Sequence, residues 1–264
     1  MKSMIIAIAN QKGGVGKTTT AVSLACGLAA QGRKVLLIDS DPQGNASGSL
    51  GVKKNELDFS LYDVLVDDRP INEVTLDSGR PNLFLIPARV ELAGAEVELS
   101  AASHNQPEER PAFRLKNALV PVLDSYEFIL IDCPPTLGQL TINALSAADG
   151  VIIPIQCEYL ALEGLTQLKN TIDLIVSGLN PKLQIFGIVM TMYDGRTNLA
   201  MQVVEEVKHY FPQQIFNTVV PRSVRLSEAP SYGQSIFEYD PSSRGAQAYR
   251  ALSKEVEQRA LAIA

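Results

Sequence analysis

A glycine-rich segment with two lysines, residues 10–20, holds the side chains best suited to chemistry in this chain. It reads Asn-Gln-Lys-Gly-Gly-Val-Gly-Lys-Thr-Thr-Thr. Glycines let a backbone turn so that several N–H groups converge on phosphate oxygens. Lys17 can reach the β- and γ-phosphates of a nucleotide, and the Thr18 hydroxyl can ligate magnesium. The segment therefore predicts a site for a nucleoside triphosphate and Mg²⁺.

The context of the segment supports this interpretation. A β-rich run precedes it and an alanine- and leucine-rich helix follows it, which is the strand–loop–helix order that a phosphate loop requires. The helix N-terminus adds a partial positive charge. The residues expected to hold phosphate are Gly13, Gly14, Val15, Gly16, Lys17, Thr18 and Thr19. The common pattern G-x-x-x-x-G-K-[ST] is altered, because Gln11 replaces its first glycine and Lys12 comes next.

Two further apolar runs end in carboxylates. Asp39 and Asp41 follow the run at 35–38, and Asp132 follows the run at 128–131. In open α/β sheets, ligands bind outside the carboxyl ends of the strands. We therefore expect Asp132 to face magnesium through a bridging water. Read without its neighbours, Asp41 before Pro42 is equally typical of a turn.

Continuous apolar runs alternate with helical patterns along the chain. The runs lie at 5–9, 35–38, 83–86, 128–131, 151–155, 185–191 and 215–220. The helical patterns lie at 17–31, 91–102, 138–147, 163–177, 199–210 and 245–262. Such alternation predicts a doubly wound α/β fold, with a mostly parallel twisted sheet and helices on both faces. We expect one domain over residues 1–264, with the polar stretch 104–111 as an exposed loop.

Bulk composition limits the other function classes. Of 264 residues, 46% are hydrophobic and 20% are charged, which suits a folded core, and the net charge is −6. The whole chain is therefore not a polycation, although a local basic patch can still bind nucleic acid. Three cysteines without C-x-x-C spacing disfavour a disulfide framework or zinc site. No run approaches the length of a membrane-spanning helix.

The string Lys-Gly-Gly-Val-Gly-Lys-Thr-Thr resembles the deviant Walker A motif of the ParA/MinD group of P-loop ATPases. The resemblance implies that ATP joins two subunits in a sandwich dimer, with Lys12 reaching the partner's phosphates. It further implies that Asp41 orients the attacking water, that Asp39 lies near magnesium, and that Asp132 belongs to a Walker B motif. Pro221 and Arg222 match the adenine pocket of the group, although Pro221 alone would read equally well as a strand terminator.

Residues 188–194 and 218–233 resemble the chromosomal Soj type within that group. This resemblance implies a cytoplasmic, nucleoid-associated ATPase that binds DNA without sequence preference and segregates a chromosome or plasmid. Arg196 and Arg225 match the DNA-binding positions, and Arg222 is a further candidate. A ParB-like, centromere-binding partner would stimulate hydrolysis.

Two other functions remain open from the sequence. A MinD-like ATPase would cycle on a membrane through a basic amphipathic C-terminal helix, but residues 252–264 carry acidic residues and no bulky aromatic side chain. We therefore expect no membrane binding. The second alternative is an ATP switch that controls another protein complex without binding DNA.

Overall fold

The computed structural model describes residues 3–105, 110–158 and 161–263. Its centre is an eight-stranded sheet with the strand order β3-β4-β2-β5-β1-β6-β7-β8. The strands are β1 (Met4–Ile8), β2 (Val35–Asp39), β3 (Leu76–Arg80), β4 (Leu83–Ile86), β5 (Phe128–Asp132), β6 (Gly150–Gln156), β7 (Gln184–Tyr193) and β8 (Ile215–Pro221). All neighbouring pairs are parallel except β3 with β4. The predicted fold class is confirmed.

Helices cover both faces of this sheet. They are α1 (Lys17–Ala30), α2 (Asn45–Ser49), α3 (Leu61–Leu65), α4 (Ile71–Val74), α5 (Leu92–Asn105), α6 (Arg114–Leu119), α7 (Gln139–Ala147), α8 (Ala161–Gly178), α9 (Asn198–Tyr210), α10 (Val224–Glu228), α11 (Ile236–Tyr239) and α12 (Arg244–Ile263). None of the described helices has both the length and the apolar character needed to cross a bilayer.

Successive side chains of each strand point to opposite faces of the sheet, so two separate hydrophobic cores form. In β1, Ile6 and Ile8 pack with buried residues of α1 and α12, whereas Ile5 and Ala7 pack with those of α3 and α5 to α9. Successive side chains of a strand point to opposite faces, so a strand buried on both sides must be apolar throughout. Every residue of β2 and β5 is buried. This explains why their sequences are continuous apolar runs.

Two features of the fold differ from the sequence-based expectation. The edge strand β3 was not predicted, because its sequence Leu-Asp-Ser-Gly-Arg lacks β-branched residues. It forms by antiparallel pairing with β4, because this pairing stabilises a segment whose own β-propensity is low. The exposed loop predicted at 104–111 is wrong at both ends: α5 continues to Asn105, and Pro111 is buried in a 3₁₀ turn. Residues 106–109 lie outside the described residues.

Helix α12 closes the other edge of the sheet. The carboxylate of Glu255 accepts hydrogen bonds from the backbone N–H groups of Asn217 (2.7 Å) and Thr218 (3.1 Å) in β8. Satisfying edge-strand amides in this way removes a template for pairing with another chain. Arg259 donates to the carbonyl oxygens of Phe186 (2.7 Å) and Gln214 (2.9 Å). The C-terminal helix is therefore fixed to both β7 and β8.

The same helix also fixes α1, which follows the glycine-rich loop. The hydroxyls of Thr20 and Tyr249 form a buried hydrogen bond of 3.0 Å. Both side chains are fully or almost fully buried, at 0% and 1% exposure. A buried hydrogen bond of this kind contributes about 1 kcal/mol, and an orphaned partner costs more. The first turns of α1 therefore depend on α12 for their position.

We expect Tyr249→Phe to lower the free energy of unfolding by about 1–2 kcal/mol, because it leaves the Thr20 hydroxyl without this partner. Urea denaturation followed by circular dichroism measures the change. Tyr210→Phe is the matched control, since Tyr210 is 66% exposed. Equal stability of the Tyr249→Phe and Tyr210→Phe proteins would contradict the assigned role.

Candidate functional site

Three parallel strands bring the predicted carboxylates to one edge of the sheet. Asp132 at the end of β5 is in register with Ile8 of β1 on one side and with Asp39 of β2 on the other. The glycine-rich loop leaves β1 at the same edge, before α1 begins at Lys17. The fold therefore brings the loop and the carboxylates together, as the sequence predicted.

Side chains on neighbouring segments hold the loop in place. The Asn10 amide donates to the carbonyl oxygen of Pro154 (2.8 Å) and accepts from the backbone N–H of Lys12 (3.0 Å). On the opposite side, the Thr191 hydroxyl of β7 donates to the carbonyl oxygen of Val15 (2.8 Å). Gly14 and Gly16 have φ values of 76° and 88°. Residues with a Cβ rarely adopt this conformation, so glycine is required at these two turns.

The N-terminus of α1 is open toward this loop. Gly16 is its N-cap residue, and no described side chain caps the helix. The first N–H groups of a helix lack intrahelical partners, and the helix dipole makes this end positive. Such an end is suited to bind an anion, and the loop geometry leaves it available for phosphate.

Lys17 is the buried cation of the site. Its side chain turns back so that Nζ donates to the carbonyl oxygen of Lys12 (3.1 Å), and the residue is 7% exposed. Burial lowers the pKa of Lys17, while the nearby Asp132 and Asp41 carboxylates oppose that shift. A buried ammonium is costly without an anionic partner. The position therefore favours a ligand that brings its own negative charge.

Asp132 provides the test of whether magnesium fits this site. It is fully buried, and neither carboxylate oxygen forms a hydrogen bond of good geometry with the described residues, although the Thr18 hydroxyl lies nearby. Burial raises the pKa of Asp132 well above its usual range, as does the neighbouring Asp39, whereas the Thr18 hydroxyl acts in the opposite direction. A buried carboxylate with free oxygens beside a threonine hydroxyl matches the oxygen ligands that Mg²⁺ prefers. The residues present therefore fit the ion.

The described residues contain no group of three or more His, Cys, Asp or Glu side chains that could hold a metal by themselves. This is compatible with magnesium at a nucleotide site, where one or two carboxylates act together with phosphate oxygens and water.

Asp39 has a different environment from the one expected of a metal ligand. One of its carboxylate oxygens accepts from both the backbone N–H and the hydroxyl of Ser47, each at 2.7 Å, and the other accepts from the Asp41 N–H at 3.3 Å. Burial raises the pKa of Asp39 to about 6, and these hydrogen bonds oppose the shift. The structure thus uses Asp39 to fix the segment that carries Asp41. Its predicted place beside magnesium stays a prediction.

Asp41 lies in the segment that leaves β2. It is 8% exposed, and its carboxylate accepts the backbone N–H of Gln43 at 2.9 Å. The Gly44 N–H donates to the Asp41 carbonyl oxygen at 2.8 Å, and Gly44 has a φ of 60°. The segment is therefore a turn, and it holds the Asp41 carboxylate close enough to Lys17 to act on the pKa of that lysine. The predicted role of Asp41 toward the attacking water stays a prediction.

Lys12 points away from the buried cluster. Its Nζ forms an ion pair of 2.9 Å with Glu158, and the two side chains are 44% and 46% exposed. Exposure agrees with a lysine that acts outside its own subunit, whereas Lys17 is buried within the site. Sequence reasoning missed Glu158. Its position two residues beyond the end of β6, next to β1 in the sheet, was the available signal.

Glu96, which sequence reasoning also missed, holds the segment that follows Asp132. The Glu96 carboxylate of α5 accepts the backbone N–H groups of Gln139 (2.6 Å) and Leu140 (3.2 Å), at the start of α7. A Cβ at Gly138 would overlap this carboxylate. Glu96 therefore caps α7 from another helix and fixes the far end of the segment that contains Pro134 and Pro135. No local pattern in the sequence indicates this pairing.

The predicted adenine and DNA-binding residues fall into two groups. Pro221, Arg222 and Arg196 line one cavity of about 570 Å³ beyond the ends of β7 and β8. Pro221 is also the last residue of β8, as the strand-terminator interpretation expects, and its place in an adenine pocket stays a prediction. Arg225 is not among the residues that line this cavity, and it pairs with Glu228 (3.0 Å) and Asp240 (3.5 Å).

Comparison with known proteins assigns this architecture to a family. Residues 3–185 match a family model described as an AAA domain. The sporulation initiation inhibitor protein Soj of Bacillus subtilis (strain 168) is 55% identical, over 96% of this chain and 97% of its own length. The chromosome partitioning protein ParA of Myxococcus xanthus (strain DK1622) is 52% identical, over 97% of this chain and 88% of its own.

A solved structure extends the comparison to three dimensions. Cobyrinic acid a,c-diamide synthase from Mycobacterium smegmatis, with bound ADP and magnesium, superposes with a TM-score of 0.80 at 36% identity. The match covers 96% of this chain and 93% of the synthase. Together with the high identity to the curated relatives, it supports the resemblance noted in the sequence. This chain belongs to the ParA/Soj family of chromosome-partitioning ATPases.

Proposed function

We propose that this chain binds ATP with Mg²⁺ and hydrolyses it, and that this cycle drives DNA segregation. The observation that carries the proposal is the proximity of three groups. They are the buried Lys17, the uncapped N-terminus of α1 and the Asp132 carboxylate, whose oxygens form no hydrogen bond of good geometry. A triphosphate is an anion that can bind both Lys17 and the helix N-terminus, and Mg²⁺ is a cation that can bind Asp132. A relative with bound ADP and magnesium supports both ligands.

Hydrolysis requires a water molecule to be held in line with the γ-phosphate. Its oxygen bonds to the γ-phosphorus while the bond to the bridging oxygen breaks, giving ADP and phosphate, and the proton that the water loses passes to the phosphate product or to bulk water. In this proposal Asp41 orients the water, and the support is the turn that holds its carboxylate near Lys17. Lys17 and the amides at the start of α1 stabilise charge on the phosphates. Magnesium, when bound, neutralises further charge on the β- and γ-phosphates.

Dimerisation places a second lysine in the site. Lys12 is exposed and held by an ion pair at the surface, so it can exchange Glu158 for the phosphates of a partner subunit. Exposed ion pairs contribute about 1 kcal/mol or less, so the exchange costs little. We propose an ATP-dependent homodimer that forms through this exchange.

In this proposal the dimer binds nucleoid DNA. A ParB-like centromere-binding protein stimulates ATP hydrolysis, and this causes the dimer to release the DNA. This part of the proposal rests on family membership and on Arg196, Arg222 and Arg225. The Arg196 side chain is 89% exposed and that of Arg225 is 55% exposed, so both can reach a phosphate backbone. Contacts of this kind give salt-dependent binding with little dependence on sequence. The proposed location is the nucleoid in the cytoplasm.

The first test concerns nucleotide binding. We expect Lys17→Ala to weaken ATP binding by about 10- to 100-fold, because a charge-assisted contact to phosphate is lost. Titration with a fluorescent ATP analogue measures the affinity. Lys53→Ala is the control, since the Lys53 side chain is 74% exposed and pairs with Glu56 at the surface. Unchanged affinity in a folded Lys17→Ala protein would refute the nucleotide site.

The second test concerns the chemical step. Asp41→Asn keeps an oxygen that can accept the Gln43 N–H but removes the negative charge, and Asp41→Ala removes both. We expect turnover to fall by about 100-fold or more in both variants, while ATP binding and dimerisation persist. Phosphate release under saturating ATP measures turnover. Asp58→Ala, at an exposed position, is the control. Wild-type turnover in either Asp41 variant would remove Asp41 from the mechanism.

The third test concerns DNA. We expect Arg196→Glu and Arg225→Glu each to weaken ATP-dependent DNA binding by about tenfold, because each change turns an attraction to phosphate into a repulsion. Gel shifts with unrelated DNA sequences at low salt, with and without ATP, measure it. Lys169→Glu makes the same charge change on α8 and serves as the control. The segregation proposal fails if the ATP-bound parent has no DNA affinity, or if these arginine changes do not reduce it.

A further inference from the structure

Two segments leave the carboxyl edge of the sheet beside the buried Lys17. The Asp41 segment, residues 39–47, follows β2, and the Asp132 segment, residues 132–140, follows β5 and ends in the first turn of α7. The sheet joins the two segments where they begin, because the Ser40 N–H donates to the Asp132 carbonyl oxygen at 2.9 Å. A third segment, residues 88–96, joins them again at their far ends.

This connecting segment, residues 88–96, contacts the Asp41 segment where it begins. The Ala88 N–H donates to the Ser47 hydroxyl (3.1 Å), which in turn donates to the Asp39 carboxylate (2.7 Å). All three residues are fully buried. A Cβ at Gly44 would lie only 2.9 Å from the Ala88 carbonyl oxygen, so the turn that holds Asp41 packs directly on this backbone. The start of the connecting segment therefore fixes the end of the Asp41 segment.

The other end of the connecting segment contacts the Asp132 segment. There the Glu96 carboxylate accepts the N–H groups of Gln139 and Leu140, at 2.6 and 3.2 Å. Between the two ends, the N–H groups of residues 92–94 donate to carbonyl oxygens three positions earlier, at 2.8–3.0 Å. Leu92 and Ala95 are fully buried in the core. A hydrogen-bonded, closely packed segment deforms little, so a displacement at one end is transmitted to the other.

We infer that Glu96 is a positioning residue for ATP hydrolysis, which acts by holding the Asp132 segment in place relative to the Asp41 segment. The inference rests on the hydrolysis proposed above, in which Asp41 orients the water and Asp132 faces magnesium. It goes beyond that proposal because α5 supplies none of the residues that bind phosphate or magnesium. A displacement of about 1 Å can cost about 100-fold in rate, so a residue that aligns the two segments affects turnover without contacting the nucleotide.

The test compares two glutamates of the same helix. Glu96→Gln keeps the shape of the side chain but loses one acceptor oxygen and the charge that favours a helix N-terminus, and Glu96→Ala removes the contact entirely. Glu98→Gln is the control, because the exposed Glu98 accepts the Tyr62 hydroxyl at 2.9 Å. Phosphate release at varied ATP concentration gives kcat and KM, and titration with a fluorescent ATP analogue gives the affinity. Thermal unfolding checks that each variant is folded, and Glu96→Gln serves alone if Glu96→Ala is not.

We expect Glu96→Gln to lower kcat by about fivefold and Glu96→Ala by about 20-fold, while the affinity for ATP changes by less than about twofold. Glu98→Gln should leave both quantities at the parent values. The double variant with Glu96→Ala and Asp41→Asn should have a kcat within about twofold of Asp41→Asn alone, because the placement of that carboxylate no longer matters once its charge is lost. General damage to the fold would instead lower the kcat of the double variant further.

Amide hydrogen exchange followed by mass spectrometry tests the connection itself. If residues 88–96 join the two segments, a change at either end alters local opening at the other end. We expect Glu96→Gln to speed exchange in residues 43–49, and Ser47→Ala to speed it in residues 136–142, each by about threefold or more. Glu98→Gln should change neither.

The outcomes separate this inference from the function on which it rests. If the parent hydrolyses no ATP, the proposed function fails and the inference fails with it. If the parent hydrolyses ATP and a folded Glu96→Gln protein has the parent kcat, or loses affinity for ATP as much as it loses turnover, the positioning role is wrong while the proposed function stands. Faster exchange only at the substituted end would overturn the connection through residues 88–96.

Discussion

The attraction between one buried ammonium and the carboxylates around it is the constraint on which this structure depends. Lys17, Asp132, Asp41 and Asp39 are all buried at the carboxyl edge of the sheet, and the charges of Asp132 and Asp41 act on Lys17. Charges away from water are tolerated when they are paired or hydrogen-bonded. Asp39 is satisfied by Ser47, whereas Asp132 and Lys17 are satisfied incompletely. The protein has therefore folded around groups whose best partners are a metal ion and a phosphate chain.

The rest of the fold fixes the geometry of that cluster. Parallel pairing places Ile8, Asp132 and Asp39 in one register, so the carboxylates cannot separate without disrupting the sheet. Thr191 and Asn10 hold the loop to neighbouring strands, and Tyr249 holds α1 to α12. Buried hydrogen bonds between distant segments are costly to break one at a time. The phosphate-binding loop is thus rigid because several elements hold it at once.

Much of this arrangement could be predicted from the sequence because it is encoded locally. The apolar runs that become β2 and β5 are periodic and buried, and the spacing of Gly16, Lys17 and Thr18 is diagnostic by itself. Boundaries were within a few residues for these elements. The edge strand β3 was missed because it depends on pairing with β4. Glu96 and Glu158 were missed for a related reason: each contacts a residue at least 43 positions away in the chain.

The ion pair between Lys12 and Glu158 has a consequence for how the monomer behaves before it meets a partner. A lone lysine beside a positive helix end would attract any passing polyanion, because opposite charges steer encounters over several ångströms. With Glu158 at 2.9 Å, the positive charge of Lys12 is largely offset. Glu158 therefore reduces the attraction of Lys12 for passing anions. An exposed pair of this kind contributes little to stability, so Lys12 can leave Glu158 without unfolding any of the described elements.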